Sequence, residues 1–393
     1  MKQDIKFTII IPTRERADVL GPALQTIIMQ DYDNLRILVS DNFSNDSTRD
    51  VVDSLTDPRI TYLNTGKRLS MSHNWEFALS HVSDGWVAIV GDDDGLLPGA
   101  ITRASQIAQE CDVMAIGSRN AAYNWPSKPD QPFGRLSVSL KNNVDIVDSH
   151  SRLSQVIHGA AAYSDLPALY TGGFVDFELV ERARSIDGRF YHSMIPDVYS
   201  SIVFAKLTER FAYSEEPLAI GGSSSHSGGT AYMTKQKTTR LSETPAGKFL
   251  SEPNIPFHEN LISRDIKMSP PSIELIVYES LLQTEHIEPS CIEQTGHAEQ
   301  LAIILSRAKR KHLGEITEWA KQFSSRHGLD YSAISKKARR TRLRKKVVKA
   351  SRTLGEKRST ISIQGSRRLP INDVYDASIV IGTALELRSR RSW

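Results

Sequence analysis

Trp86-Val87-Ala88-Ile89-Val90-Gly91-Asp92-Asp93-Asp94 is a short apolar run that stops at a glycine and three consecutive carboxylates. A continuous apolar run of that length reads as a strand buried on both faces, as in a parallel sheet. Phe7-Thr8-Ile9-Ile10-Ile11-Pro12 and Leu35-Arg36-Ile37-Leu38-Val39 have the same character, and they end in Thr13-Arg14 and Ser40-Asp41-Asn42. Ile60-Thr61-Tyr62-Leu63 predicts a further strand, and Asp112 to Ile116 another. Between these lie helical patterns. Val19, Leu20, Leu24, Ile27 and Ile28 recur at helical spacing. Residues after Asn45-Asp46-Ser47-Thr48 follow, with Asp46 or Ser47 as N-cap. Ser72 to Val82 places Trp75, Ala78, Leu79 and Val82 on one face, and Pro98 suits the first turn of a helix running to about Gln109. Strands alternating with helices predict an α/β fold, a mostly parallel Rossmann-like sheet flanked by helices. Ligands of such sheets lie beyond the carboxyl ends of the strands. Pro12-Thr13-Arg14, Asp41-Asn42 and Asp92-Asp93-Asp94 all fall there, so one crevice collects them.

Each of these groups has a plain structural reading as well. Aspartates favour a helix N-terminus, Asp41 suits a turn, and Arg14 suits a solvated surface. Taken together, three crowded carboxylates need a cation or basic neighbours, and oxygen ligands suit Mg²⁺ or Mn²⁺ bridged to phosphates. The crevice therefore fits a nucleoside diphosphate and its metal. There is no Gly-x-Gly-x-x-Gly after the first strand and no Gly-x-x-x-x-Gly-Lys-Ser/Thr, which argues against dinucleotide-binding and P-loop readings.

Of the 393 residues, 39% are hydrophobic and 24% charged, a balance that belongs to soluble globular chains. Two cysteines, Cys111 and Cys291, are too few and too distant for a disulfide framework, which points to a reducing, cytoplasmic setting. No apolar stretch approaches the roughly 20 residues of a membrane span, and the first residues lack a signal-peptide core.

Three segments, Ile9-Ile10-Ile11-Pro12-Thr13-Arg14-Glu15-Arg16, Val39-Ser40-Asp41-Asn42-Phe43-Ser44-Asn45-Asp46-Ser47-Thr48 and Gly91-Asp92-Asp93-Asp94-Gly95-Leu96-Leu97-Pro98-Gly99-Ala100, resemble family two glycosyltransferases of the GT-A fold in order and spacing. The likeness spans roughly residues 5–230 and is specific in the first 110. It implies an inverting glycosyltransferase, dependent on Mn²⁺ or Mg²⁺, that takes a sugar from a nucleotide-sugar donor to a glycan or lipid-linked acceptor. That family's habits point to envelope polysaccharide synthesis. By resemblance, Pro12, Thr13 and Arg14 line the nucleotide pocket, Asp41 binds the base, and Asn74 sits at a helix start near the donor. The aspartate run corresponds to the family's Asp-x-Asp motif. Counted back from Pro98, the two acidic positions fall on Gly91 and Asp93, and Gly91 is a departure. Asp93 is then the preferred metal ligand, with Asp92 or Asp94 supplying the other carboxylate. Our assignment puts Asp94 with the metal and Asp92 with the donor. The family's general base is an acidic residue at a downstream helix start near the acceptor, and Ile195-Pro196-Asp197-Val198-Tyr199 makes Asp197 that candidate. One displacement with one base predicts inversion, although a helix cap would also account for Asp197. His226 is a candidate third metal ligand in the Gly221–Gly229 loop, which has the glycines of a hinged lid.

Residues 119–173 carry a weak pattern with Tyr123, Trp125, Tyr163 and Tyr170, aromatics suited to an acceptor side or to a core. Helices are expected near 176–185, 198–207, 270–285 and 297–323. The organisation read from these patterns is a catalytic domain at 1–235, a mainly helical region at 236–330 and a basic tail at 331–393. Residues 336–368 hold fourteen Lys and Arg against one Glu, while the whole chain carries only +3. Leu343, Val347, Ala350 and Leu354 recur at helical spacing within it, a pattern that suits an anionic membrane surface on the inner leaflet or a solvated tail. Nucleic acid fits less well, since no aromatic interrupts the segment. Ser378-Ile379-Val380-Ile381 reads as a short strand or an interaction element. Two rivals remain: a nucleotidyltransferase, and a non-catalytic basic adaptor.

Overall fold

The computed structural model describes residues 5–126, 132–225, 252–261, 270–287, 296–342 and 360–389. Four parallel strands make the floor: β1 (Phe7–Thr13), β2 (Leu35–Asp41), β3 (Ile60–Asn64) and β4 (Trp86–Ile89), in the order β3-β2-β1-β4. The register sets Ile9 beside both Ile37 and Ala88. Successive side chains of a strand point to opposite faces, so each apolar run feeds two cores. Ile9, Ile11, Ile37, Val39 and Ala88 pack on Leu20, Leu24 and Ile27 of α1 (Ala17–Ile28) and on Ile101, Ala104 and Ile107 of α4 (Ala100–Cys111). Ile10, Leu38, Val87 and Ile89 pack instead on Trp75 and Leu79 of α3 (Met71–Leu79). The same cluster takes in Val180 of α6 (Phe177–Ala183) and Val203 and Phe204 of α7 (Pro196–Leu207). Fully burying one such side chain stabilises by about 1.5–3 kcal/mol, so the strand ends stand on a rigid base. A short α2 (Thr48–Asp53) follows β2.

Beyond β4 the sheet is mixed. After β5 (Gly95–Leu96) the chain forms β6 (Ala115–Ser118), β7 (Ala121–Asn124), β8 (Arg135–Ser139), β9 (Val144–Asp148), β10 (Phe174–Asp176), β11 (Arg210–Ser214) and β12 (Ala219–Ser223). In the main sheet β10 runs antiparallel between β4 and β6, β11 is parallel to β6, and β9 is antiparallel to β11. A second sheet has the order β13-β8-β7-β12-β5, with β13 at Thr360–Gln364. The helix α5 (Ser149–Ile157) packs with α7 through Leu153, Val156, Val198 and Ile202.

The later helices are α8 (Ile273–Gln283), α9 (His297–Arg307), α10 (Leu313–Arg326) and α11 (Val374–Ser389). Ile276, Val277 and Leu281 of α8 join the α5–α7 cluster. Leu301, Ile304, Trp319 and Phe323 form a separate core for the helical region, closed by Ile334 and Ala338 from helical residues 331–342. The chain end departs from the expected tail. β13 pairs with β8, and α11 buries Val374, Ala377 and Ile381 against Ala23, Leu97, Tyr123 and Ile220. Residues 360–389 are thus part of the N-terminal body, and Ser378–Ile381 is helical, neither a strand nor a free element. A four-residue apolar run cannot distinguish the two by periodicity alone. Leu343, Val347, Ala350 and Leu354 lie outside the described residues. Among those described, no helix is long and apolar enough to cross a membrane.

Candidate active site

The parallel strands deliver three groups to one rim. Thr13 ends β1 opposite Asp41, which ends β2, and the amide of Asn42 donates to Thr13 O at 2.9 Å. Pro12 and Thr13 are thereby fixed at the rim, Thr13 buried beside Asp92. Asp41 is buried and well partnered. The amide of Ser44 donates to its Oδ1 at 3.0 Å, and Tyr62 OH and Asn64 Nδ2 donate to Oδ2 at 2.5 and 3.1 Å. Asn74, in the first turn of α3, accepts from Ser40 Oγ at 2.7 Å and so pins the end of β2 from below. Glu15 and Phe43, in the loops after β1 and β2, hold positive φ angles of 53° and 56°. Non-glycine residues seldom adopt that region, and it clusters at functional loops. Phe43 is also 41% exposed beside Asp41.

The three aspartates after β4 are all buried, and each has a different fate. Arg16 Nη1 donates to Asp92 Oδ1 at 2.5 Å. Burial pushes the Asp92 carboxyl up from its ordinary value, with Arg16 pulling the other way. Asp94 is turned inward: Gly222 N donates to Oδ1 at 2.6 Å, and Thr171 Oγ1 donates to Oδ2 at 2.5 Å. Burial and the neighbouring Asp93 push Asp94 up to about 7. Asp93 lies between them. Ser224 donates to its Oδ2 through Oγ at 2.5 Å and through its amide at 3.3 Å, and Trp125 Nε1 holds its carbonyl at 2.9 Å.

The departure at Gly91 has a steric cause. A Cβ there would lie 2.6 Å from Asp94 Oδ2 and 3.0 Å from Tyr170 OH, so the inward carboxylate fills the space a side chain would need. Gly222 is equally constrained, since a Cβ would meet Asp93 O at 1.8 Å. Gly221 and Gly222 belong to β12, which removes them from the expected hinge. The rest of that loop, His226 included, lies outside the described residues.

Arg14 is neither solvated nor open. Its Nη1 meets Glu252 Oε1 at 2.5 Å, and both side chains are mostly buried. The other oxygen of Glu252, Oε2, is buried with no hydrogen-bond partner among the described residues.

Asp197 occupies the first turn of α7, with Pro196 at the helix start, and is partly exposed. Burial of the carboxylate raises its pKa, and a hydrogen bond from Tyr163 OH to Oδ2 at 3.1 Å opposes the rise. Tyr170 connects the two halves of the site. Its ring stacks on Trp75 with centroids 5.5 Å apart. Its hydroxyl bonds Asp94, and burial together with Asp94, Asp93 and Asp197 raises its pKa well above the ordinary value. Asp93, Asp94 and Asp197 thus all bear electrostatically on one tyrosine.

Arg16 stands in the first motif and Ser224 in the Gly/Ser loop, neither with a role legible from the sequence, and nothing local ties Thr171 or Glu252 to the strand ends. Tyr163 and Tyr170 stood among the aromatics of residues 119–173, without a role. Tyr123, from the same group, is core.

Residues 8–149 match the family model Glycosyl transferase family 2. The chain is 38% identical over 108 residues to GalNAc(5)-diNAcBac-PP-undecaprenol beta-1,3-glucosyltransferase of Campylobacter jejuni subsp. jejuni serotype O:2, which is 27% of this chain and 35% of that protein. An uncharacterized protein of Mycobacterium tuberculosis is 26% identical over 155 residues, 39% of this chain and 48% of its own length. The chain spans about a third to a half of the length of these curated relatives. Among solved structures, S. aureus TarS 1-349 is similar at a TM-score of 0.45 and 14% identity, covering 83% of this chain and 93% of that one. Mannosyltransferase PcManGT from Pyrobaculum calidifontis, in complex with GDP-Man and Mn²⁺, is similar at 0.41 and 16%, covering 87% and 88%.

Proposed function

We propose that this chain, which carries a glycosyl transferase family 2 region at residues 8–149, moves a sugar from a nucleoside diphosphate donor to an acceptor hydroxyl, with Asp197 as the base. One observation carries the reading. The strand-end Asp93 and Asp94 and the helix-start Asp197, distant in sequence, all act electrostatically on the hydroxyl of Tyr170, whose ring stacks on Trp75. A donor lying along the rim from Asp41 to Asp93 would present its anomeric carbon toward Asp197.

In this reading the base of the donor rests by Asp41, sharing its carboxylate with Tyr62 and Asn64, and Phe43 offers a ring for stacking. Pro12, Thr13 and Asn74 shape the pocket, and Arg16 holds Asp92 as part of its wall. Arg14 would meet the diphosphate once Glu252 yields it. Among the described residues no three His, Cys, Asp or Glu side chains gather as a cation site. Among the described residues the Asp93 carboxylate would hold a divalent ion, with further ligands from phosphate oxygens and water, a habit of Mg²⁺ sites. Such an ion, Mn²⁺ or Mg²⁺, would neutralise the diphosphate as it leaves. Asp94, held by Gly222 and Thr171 and pushed up by burial and by Asp93, is left out of the ion's ligands in this reading.

The reaction balances simply. The acceptor oxygen bonds to the anomeric carbon as the bond to the diphosphate breaks, and the acceptor proton passes to Asp197. A single displacement inverts the configuration. The raised pKa of Asp197 strengthens it as a base, and its exposure leaves room for the acceptor. A glycan or lipid-linked acceptor accords with the name of the Campylobacter relative.

Nucleotide release over a panel of UDP-, GDP- and dTDP-sugars, with Mn²⁺ and with chelator, tests the reading. Metal-dependent release of a nucleoside diphosphate from one donor supports it. Release of pyrophosphate from a nucleoside triphosphate would transfer the site to nucleotidyl chemistry.

A further inference from the structure

The helical region presents two basic runs at one place. Arg342 Nε donates to Ser306 O at 3.0 Å, and its Nη2 donates to Leu305 O at 2.8 Å and Ala308 O at 3.1 Å. These are the last carbonyls of α9, which a guanidinium satisfies well at a helix C-terminus. The staple brings the end of helical residues 331–342 against the turn that follows α9. Lys309, Arg310 and Lys311 leave that turn, while Lys336, Lys337, Arg339 and Arg340 lie on the adjoining helix, and all seven are exposed. Ile334 and Ala338, on the opposite side of that helix, are buried in the α9–α10 core, so the cations face outward on a folded surface. Carboxylates on the same elements are fewer: Glu299, 3.9 Å from Lys337, Glu318, 3.9 Å from Lys321, and the exposed Glu315 and Asp330.

We infer that this face binds an anionic phospholipid bilayer. A fluid lipid surface demands charge and no shaped anchor, and that is what the face supplies. Among the described residues the exposed large hydrophobics, Phe43, Ile146, Ile186, Leu369, Ile379 and Leu387, all lie elsewhere, so those residues offer no aromatic or aliphatic anchor of a protein interface on this face. No aromatic residue stands among residues 332–342, and Tyr331 is packed against the helical core, which disfavours base stacking by single-stranded nucleic acid.

The face is also joined to the acceptor side of the site. Arg307, the last residue of α9, donates to Gly159 O, and Gln300 donates to Ile157 O at 3.1 Å. These contacts tie α9 to the segment that carries Tyr163, whose hydroxyl meets Asp197 at 3.1 Å. A lipid surface against Lys309–Lys311 would therefore lie on the acceptor side of the molecule. That last relation rests on the sugar-transfer reading, whereas the binding itself does not.

Each Lys or Arg near an anionic leaflet raises binding about fivefold. Full-length protein should co-sediment with vesicles of 30% phosphatidylglycerol in phosphatidylcholine and not with phosphatidylcholine alone, and should be released as salt shortens the screening length. Lys309→Glu/Arg310→Glu/Lys311→Glu should lower the partition coefficient by at least about 100-fold, and so should Lys336→Glu/Arg339→Glu/Arg340→Glu. A control with equal charge change elsewhere, Arg49→Glu/Arg182→Glu/Arg210→Glu, should lose less than about threefold. Nucleotide release with a soluble acceptor should stay unchanged in the first two variants, which separates this surface from the catalytic reading. Absence of wild-type binding, or equal loss in all three variants, overturns the inference. So does retention of binding in both helical-region variants, which would move the contact to other residues.

Discussion

The proposed donor side and the proposed acceptor side of this molecule are built by different rules. On the donor side, Thr13, Asp41 and Asp92–Asp94 are the ends of parallel strands, and their positions follow from backbone register. On the acceptor side, Asp197 depends on a helix start, Tyr163 on a short turn and Tyr170 on the irregular segment before β10, brought together by packing across long sequence distances. The first kind of site survives any change that preserves the sheet. The second depends on individual side-chain contacts, and variants should show the difference.

The largest effect expected on the donor side is from Asp93→Asn. Losing the carboxylate that would hold the charge-neutralising cation should cost about 10²–10³ in kcat, as loss of one oxyanion-stabilising group does, and steady-state kinetics over a Mn²⁺ titration would also show loss of the metal response. Undiminished kcat would remove Asp93 from the role. Next is Gly91→Ala, where the new methyl meets the inward Asp94 carboxylate. Overpacking of this kind costs about 1–3 kcal/mol, readable by denaturant unfolding, and an unchanged midpoint would show that Asp94 can turn away.

Buried Glu279, which accepts from Ser193 Oγ at 2.6 Å and is pushed up to about 7 by burial, tests the packing side. A carboxyl whose folded pKa exceeds its unfolded one contributes stability below about 4.5 and loses it as pH rises to 7. Glu279→Gln should therefore be more stable than the wild type at pH 8 by about 1–3 kcal/mol and flatter between pH 4.5 and 7. A wild-type stability that rises over that window would contradict this.

The smallest effects sharpen the contrast further. Tyr163→Phe removes the hydrogen bond that opposes the raised pKa of Asp197, so the acid limb of kcat/KM should move to higher pH. The fall in kcat should be about 3- to 10-fold, in line with the net loss of one ordinary hydrogen bond. A purely structural tyrosine would lower activity without moving the limb. Glu252→Gln weakens the ion pair that holds Arg14, and donor KM should fall a few-fold, whereas a rise would mean that Glu252 supports the pocket.

The same division explains what could be read in advance. Ile9-Ile10-Ile11 and Val87-Ala88-Ile89 are legible because buried parallel strands need apolar residues on both faces, and the motif residues follow directly from the strand ends. β8 is harder, since Arg135–Ser139 buries only alternate residues and its partner β13 lies more than 200 positions away. The Leu136 and Val138 alternation was the available signal. The inward turn of Asp94 was not legible at all, because its partners Thr171 and Gly222 come from segments with no strand-end pattern. Nor was the return of α11 to the N-terminal body, which depends on complementary packing against Ala23 and Tyr123.

The central claim is that Asp197 takes the acceptor proton beside a donor held by the strand ends. Its most direct test is the pH dependence of transfer by the wild type and by Asp197→Asn, with donor affinity measured alongside. The account predicts an acid limb above the ordinary aspartate value of about 4, since burial raises Asp197 and protonation on lowering the pH removes the base. It also predicts a loss of roughly 10²–10⁴ in kcat for Asp197→Asn, with donor affinity unchanged. Full activity in that variant, or a loss traced wholly to donor binding, would contradict it.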